Sequence, residues 1–268
     1  MNVPFEQSRS RWVRYDCYEF ITAKDGKRYI APVKDAKLDV YNPMKDYPGI
    51  VLDALNAGML LTHEDHQDEA EKAVMTFVTK YGLLGIMGAL TLTTSFVDNE
   101  VVYLVDNCFV HRKSMQTDEY LALFYPFSKA EYSEPYDWIA QQFKDWFLIL
   151  TTAILNYDDY DSIDDDTRKL YHKVMAAFLG IVPSYHIELL DKPTICWDLD
   201  SLLLGVQMMF SSMLEDDARP LRLCKHCQKV FIGNRINATF CSARCKNQYN
   251  VYKSRRKAQN TKRRKVDD

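Results

Sequence analysis

Four cysteines near the end of the chain constrain it more than any other feature. They fall as two close pairs, Cys224-Lys-His-Cys227 and Cys241-Ser-Ala-Arg-Cys245, with thirteen residues between the pairs. Each short pair can place two thiolates on one ion, and the intervening stretch is long enough to fold the pairs together. Tetrahedral Zn²⁺ closed by four sulfurs is the arrangement this spacing favours. A disulfide framework is the alternative, but nothing else in the chain points to an oxidising compartment. With Cys224, Cys227, Cys241 and Cys245 all engaged, the expected cofactor is one structural zinc with no open position for catalysis.

The residues around the ligands predict a local fold. Val230-Phe231-Ile232 reads as a short strand, Gly233-Asn234-Arg235 as a turn, and Ala238-Thr239-Phe240 as the returning strand. Phe231 and Phe240 are the expected miniature core, since so small a unit cannot bury enough apolar surface without its metal. Ser242 stands at a helix N-cap, and a helix can run from about Ala243 to about Ala258. On it, Cys245, Tyr249 and Tyr252 share the face turned to the metal. Lys246, Asn250, Lys253 and Lys257 form a separate outward stripe. Knuckle, hairpin and ligand-bearing helix together resemble a treble-clef finger.

Charge separates this segment from the rest. Residues 221–268 hold 14 Lys/Arg against 2 Asp, a formal +12, while the preceding 220 residues carry −15. Four thiolates and one Zn²⁺ would leave the segment near +10, still the signature of a phosphate-binding surface. Arg244, Lys246, Lys253, Arg255, Arg256 and Lys257 are the expected phosphate contacts. Asn247, Gln248 and Asn250 could reach base edges, and Lys262, Arg263, Arg264 and Lys265 extend the cationic run. The expected partner is nucleic acid, DNA ahead of RNA.

Cys224-x2-Cys227, Phe231, Cys241-Ser242, Cys245-Lys-Asn247 and the trailing Tyr252-Lys253-Ser254-Arg255 resemble the CGNR-type zinc finger that ends bacterial transcription regulators. The resemblance covers about 35 of the 268 residues. Lys246 and Gln248 stand where that family has Gly and Arg, and the last cysteine spacing is one residue shorter. It implies a zinc-dependent nucleic-acid-binding module and suggests a regulator, cytoplasmic and, if bacterial, nucleoid-associated; bacterial proteins of unassigned function with a helical body and a similar C-terminal finger are an equally good comparison.

The remainder reads as an acidic, mainly helical body over residues 1–216, giving an α+β, mainly α fold with the finger at 221–268. Residues 1–48 form a small β element. Tyr15–Thr22 and Lys27–Val33 alternate in polarity around a Lys24-Asp25-Gly26 turn, and Pro43 and Pro48 end the extended segment. Ile50–Leu61 carries a helical apolar face. Thr62-His-Glu-Asp65 resembles a capping box opening a second helix through Val74, Phe77 and Tyr81. Gly82, Gly85 and Gly88 suggest close backbone packing. Val101–Val105 reads as a strand, with Ser184–Leu190 or the N-terminal hairpin as its neighbour. Tyr136–Tyr157 repeats Trp138, Ile139, Phe143, Trp146, Phe147, Leu150 and Ile154 at helical spacing. Asp166-Thr167 can start the next helix, and Asp198 or Asp200 can cap Leu202–Leu214.

Other clusters carry less chemistry. His63-Glu-Asp-His66 lacks the zinc-protease spacing and fits helix-start acids better. Asp158–Asp166 lacks the central Gly and closing Glu of a calcium loop and reads as a solvated connection. His226 lies inside the knuckle, where four cysteines already complete the site. Cys17, Cys108 and Cys196 read as small buried apolar residues. Met1–Asp16 has no apolar signal core, and no stretch is long and apolar enough for a membrane span. No catalytic residue is expected, so the body is left to sense a signal or to join copies of the chain. Two readings compete: a protein-interaction zinc module on a scaffold, and an unrecognised enzyme targeted by the finger. A filled body core would argue against the second.

Overall fold

The computed structural model describes residues 12–23, 26–86, 132–158, 161–176, 184–189, 191–198, 201–216, 218–235 and 237–264. The chain divides into two compact units, Met1–Ser211 and Ser212–Asp268. The described residues combine helices with several small antiparallel sheets, an α+β fold. The expected strand at Val101–Val105, together with Gly88 and Cys108, lies outside them.

The first unit opens with four strands: β1 (Trp12–Tyr15), β2 (Tyr18–Thr22), β3 (Arg28–Pro32) and β4 (Leu38–Tyr41). The predicted hairpin is β2–β3, paired from Tyr18↔Pro32 to Thr22↔Arg28, with Gly26 at φ +81 in its turn. Residues 24–25 are outside the described set. The hairpin continues further than its polarity pattern suggests. β1 pairs with β4 from Trp12↔Tyr41 to Tyr15↔Leu38, and Asp16 N–H to Lys37 C=O and Val33 N–H to Cys17 C=O join the two ladders. Cys17, expected inside, is exposed because it sits at this junction.

Two helices follow, α1 (Gly49–Leu61) and α2 (Gln67–Tyr81), then β5 (Glu134–Pro135) and the long α3 (Tyr136–Asp158). Their apolar stripes build the core. Ile50, Ala54 and Leu55 of α1, Val74, Phe77 and Tyr81 of α2, and Ile139, Phe143, Trp146 and Leu150 of α3 are all buried. Phe77 packs edge-on against Phe143 at 4.8 Å between ring centroids. Gly58 lets α1 approach α3 closely, since a Cβ there would lie 2.1 Å from the Phe143 carbonyl oxygen.

The expected capping box does not form. The Thr62 hydroxyl donates back to the Met59 carbonyl (2.7 Å) and closes α1, and a 3₁₀ turn over Glu64–His66 intervenes before α2. Polar bonds tie the sheet to α2. Arg28 pairs bidentately with Glu71 (2.6 and 2.9 Å), and the Tyr41 hydroxyl donates to the Tyr81 carbonyl (2.7 Å). Gly82 ends α2 at φ +90, a conformation that costs glycine least. Its missing side chain makes room for the Val13 carbonyl, and Trp12 fills the space beside Gly85.

The chain continues with α4 (Asp165–Ala176), β6 (Ser184–Leu189), β7 (Pro193–Asp198) and α5 (Leu202–Leu214). Asp164 caps α4, two residues earlier than the sequence suggests, accepting from the amides of Asp166 (3.0 Å) and Thr167 (2.8 Å). β6 pairs with β7, its immediate successor, from Ser184↔Asp198 to Leu189↔Pro193. The cap of α5 is Ser201, whose hydroxyl accepts from the Leu204 amide (3.1 Å), in place of Asp198; Asp200 lies outside the described residues.

Candidate metal centre and cationic helix

The second unit is built around the cysteines. β8 (Leu221–Leu223) and β9 (Val230–Ile232) pair antiparallel, Leu221↔Ile232 through Leu223↔Val230, and the first knuckle is the loop between them. Two backbone bonds close that loop, Cys224 N–H to Lys229 C=O (3.0 Å) and Gln228 N–H to Cys224 C=O (2.9 Å). Gln228 takes φ +59, a left-handed residue reversing the chain directly after Cys227. The partner of β9 therefore precedes the knuckle and is not the expected 238–240 segment. Ala238–Phe240 is not a strand, although Thr239 C=O accepts from Lys225 N–H (3.0 Å) and fastens the second pair to the first.

The second cysteine pair rides on the start of α6 (Ala243–Arg264). As the sequence suggests, Ser242 caps this helix, its hydroxyl accepting from the Cys245 amide at 3.2 Å. Cys241 and Cys245 thus lie at a helix N-terminus, where the dipole favours thiolates.

The ligand atoms of Cys224, Cys227, Cys241 and Cys245 all lie within 4.8 Å of one another. Cys227 Sγ is 3.7 Å from Cys241 Sγ, and Cys241 Sγ is 3.5 Å from Cys245 Sγ. A disulfide needs about 2.05 Å. A tetrahedron with Zn–S bonds of about 2.3 Å has edges of about 3.8 Å. The donor set and its spacing therefore fit a tetrahedral thiophilic ion, and the four residues lie close enough to bind one.

The sulfurs perturb one another unequally. Burial raises the Cys224 thiol, but the amides of Cys227, Cys241 and His226 outweigh it and bring the group down to about 6. Cys241 is pushed up to about 12, by burial first and then by the sulfurs of Cys245, Cys224 and Cys227. Burial likewise raises Cys227. Four thiolates this close repel, and a divalent cation removes that penalty.

Little apolar material supports the site. Leu221, Cys224 and Val230 are buried, while Phe231 and Phe240 are only half-buried. Phe240 packs on Tyr249 (5.2 Å) in place of forming the expected core with Phe231. Tyr252 stacks on His226 of the knuckle, with centroids 5.8 Å apart and planes 15° from parallel. Cys245, Tyr249 and Tyr252 thus line the knuckle side of α6.

The helix carries nine Lys/Arg and no Asp/Glu over its 22 residues. Arg244, Lys246, Asn247, Asn250, Lys253, Arg255 and Arg256 are exposed, and Gln248 is half-buried. Lys257, Lys262, Arg263 and Arg264 lie on the helix, and Lys265 falls outside the described residues. At about 1.5 Å per residue the helix extends about 33 Å.

The other polar clusters resolve differently. His66 Nδ1 pairs with Glu69 (3.3 Å) at the start of α2, and the Asp164 carboxylate is occupied as a cap. Glu134, which no sequence pattern singles out, is wholly buried on β5. Its carboxylate accepts from the Leu84 amide (2.9 Å), the Ile86 amide (2.8 Å) and the Tyr132 hydroxyl. Burial pushes its pKa above the usual range, against the opposing pull of Tyr132 and the amides of Ile86, Leu84 and Gly85. With no exposed surface it pins the 84–86 segment and meets no substrate. Among the described residues, the four cysteines are the one convergent group of metal-ligating side chains. No helix among them is long and apolar enough to cross a membrane.

No protein-family model matches this chain, and neither a curated protein nor a solved structure matches it significantly.

Proposed function

We propose that the C-terminal unit is a zinc-stabilised nucleic-acid-binding module. The observation that carries this reading is the attachment of an acid-free helix with nine cations to a four-sulfur cluster, through Cys245 in its own first turn. Zinc is favoured over other cations because a four-thiolate tetrahedron suits a borderline-soft ion without geometric preference. When bound, the ion cross-links the knuckle to the helix start and fixes the direction in which α6 leaves the unit.

The helix then does the binding. Arg244, Lys246, Lys253, Arg255 and Arg256 present exposed cations to phosphates, and Asn247 and Asn250 stand between them within reach of bases. Lys257, Lys262, Arg263 and Arg264 lengthen the cationic track. In that arrangement the α+β body senses a signal or joins copies of the chain. The likeness of the finger to the CGNR type supports a regulator of transcription.

Titrating the full-length, zinc-loaded protein against labelled DNA at increasing salt tests the reading. Neutralising five to eight phosphates gives a log–log slope of about −4 to −7. A flat salt response removes the phosphate-binding account.

A further inference from the structure

The track of cations does not explain where α6 places its most exposed aromatic ring. Tyr252 lies against His226 in a nearly parallel stack, yet 53% of the residue stays accessible. At that centroid separation the rings are offset, and the accessible half of Tyr252 leaves aromatic surface open to a ligand. Exposed cations lie close in sequence to both rings. Arg255 and Arg256 follow by three and four residues on the helix, and Lys225 precedes His226 on the knuckle, all exposed. An aromatic face between cations is what a nucleobase with a phosphate on either side requires.

We propose that Tyr252, backed by His226, is a stacking platform for one unpaired base, so that the module recognises single-stranded nucleic acid. This rests on the nucleic-acid reading above and narrows it. In a duplex both faces of an internal base are covered by its neighbours, so a ring standing out from a helix flank can stack only on an unpaired base. Lys225 and the Arg255–Arg256 pair then hold the flanking phosphates. The cluster keeps His226 and Tyr252 in register, because Cys227 adjoins the first and Cys245 lies two helical turns before the second.

The test uses the full-length, zinc-loaded protein and fluorescence anisotropy with three labelled probes: a thymidine strand, an abasic strand of equal length, and a blunt duplex. The thymidine strand is expected to bind more tightly than the other two. Tyr252→Ala is expected to weaken thymidine-strand binding about 5- to 150-fold, the loss of about 1–3 kcal/mol per stacked base, and to leave abasic-strand binding unchanged. Tyr252→Leu keeps bulk without a π-face and must behave as Tyr252→Ala, whereas Tyr252→Phe must bind as the parent does. Metal content of each variant shows that the unit is intact. Equal loss on both strands, no loss on either, or tighter binding of the duplex overturns the platform while leaving phosphate binding in place. Failure of all three probes to bind overturns the nucleic-acid reading itself.

Discussion

Replacing Cys224 with serine probes the second unit at its most enclosed point, because Cys224 is the one ligand with no exposed surface. The apolar support it leaves is small. Leu221 and Val230 are the other buried apolar residues described between 221 and 264. At about 1.5–3 kcal/mol for each fully buried aliphatic side chain, they contribute about 3–6 kcal/mol. A structural zinc site supplies about 10–16 kcal/mol. If the four cysteines hold zinc, losing it removes the larger share and the unit should unfold. All four tryptophans, Trp12, Trp138, Trp146 and Trp197, lie in the first unit, so indole emission reports that unit alone. Cys224→Ser should carry no metal and lose its C-terminal segment to trypsin, while its emission spectrum matches the parent's. A variant that retains one metal per chain and resists trypsin beyond residue 221 would refute the reasoning.

Three further perturbations test other parts of the structure. Gly58→Ala drives a methyl into the Phe143 carbonyl and should cost about 3 kcal/mol, the upper end for overpacking; an unchanged denaturant midpoint would show that α1 and α3 do not approach as described. Glu134 has a folded-state pKa above its ordinary 4.5, so its contribution is complete below that value and declines as the pH rises through the folded pKa. Thermal melts of the parent and Glu134→Gln should therefore show the parent losing ground with rising pH above about 4.5, and parallel curves would contradict the burial of an ionisable carboxyl. Gln228→Gly relieves a left-handed side chain and should leave metal content unchanged while modestly raising the trypsin resistance of the knuckle; a loss of metal would show that the glutamine side chain contributes to the site.

What the sequence reveals depends on the range of the forces involved. The α3 stripe, the β2–β3 turn and the Ser242 cap were legible because each is set by residues three or four positions apart. Cysteine spacing likewise encodes convergence, because a short loop cannot carry two thiolates far apart. Pairings between distant segments left no local mark. β1 finds β4 across more than twenty residues, and β9 pairs with Leu221–Leu223 in place of Ala238–Phe240 because the backbone bonds between Cys224 and Lys229 and between Gln228 and Cys224 close the knuckle into a tight reversal. Caps were misplaced where several polar residues competed. Thr62 bonds backward to Met59, while Asp164 and Ser201 lie nearest the free amides. Glu134 was invisible because a buried carboxylate is recognised by its donors, and Leu84 and Ile86 lie about fifty residues away in sequence. Gln228 showed nothing of its φ, since glutamine rarely marks a left-handed turn.

The central claim is that a metal-fixed knuckle holds the start of α6 and so keeps its cations in place to grip a polyanion. Anisotropy with a single labelled DNA strand tests it directly, on the full-length protein before chelation, after chelation and after zinc is restored. Binding should be lost on chelation and recovered with one equivalent of zinc. Affinity unchanged across the three preparations would contradict it.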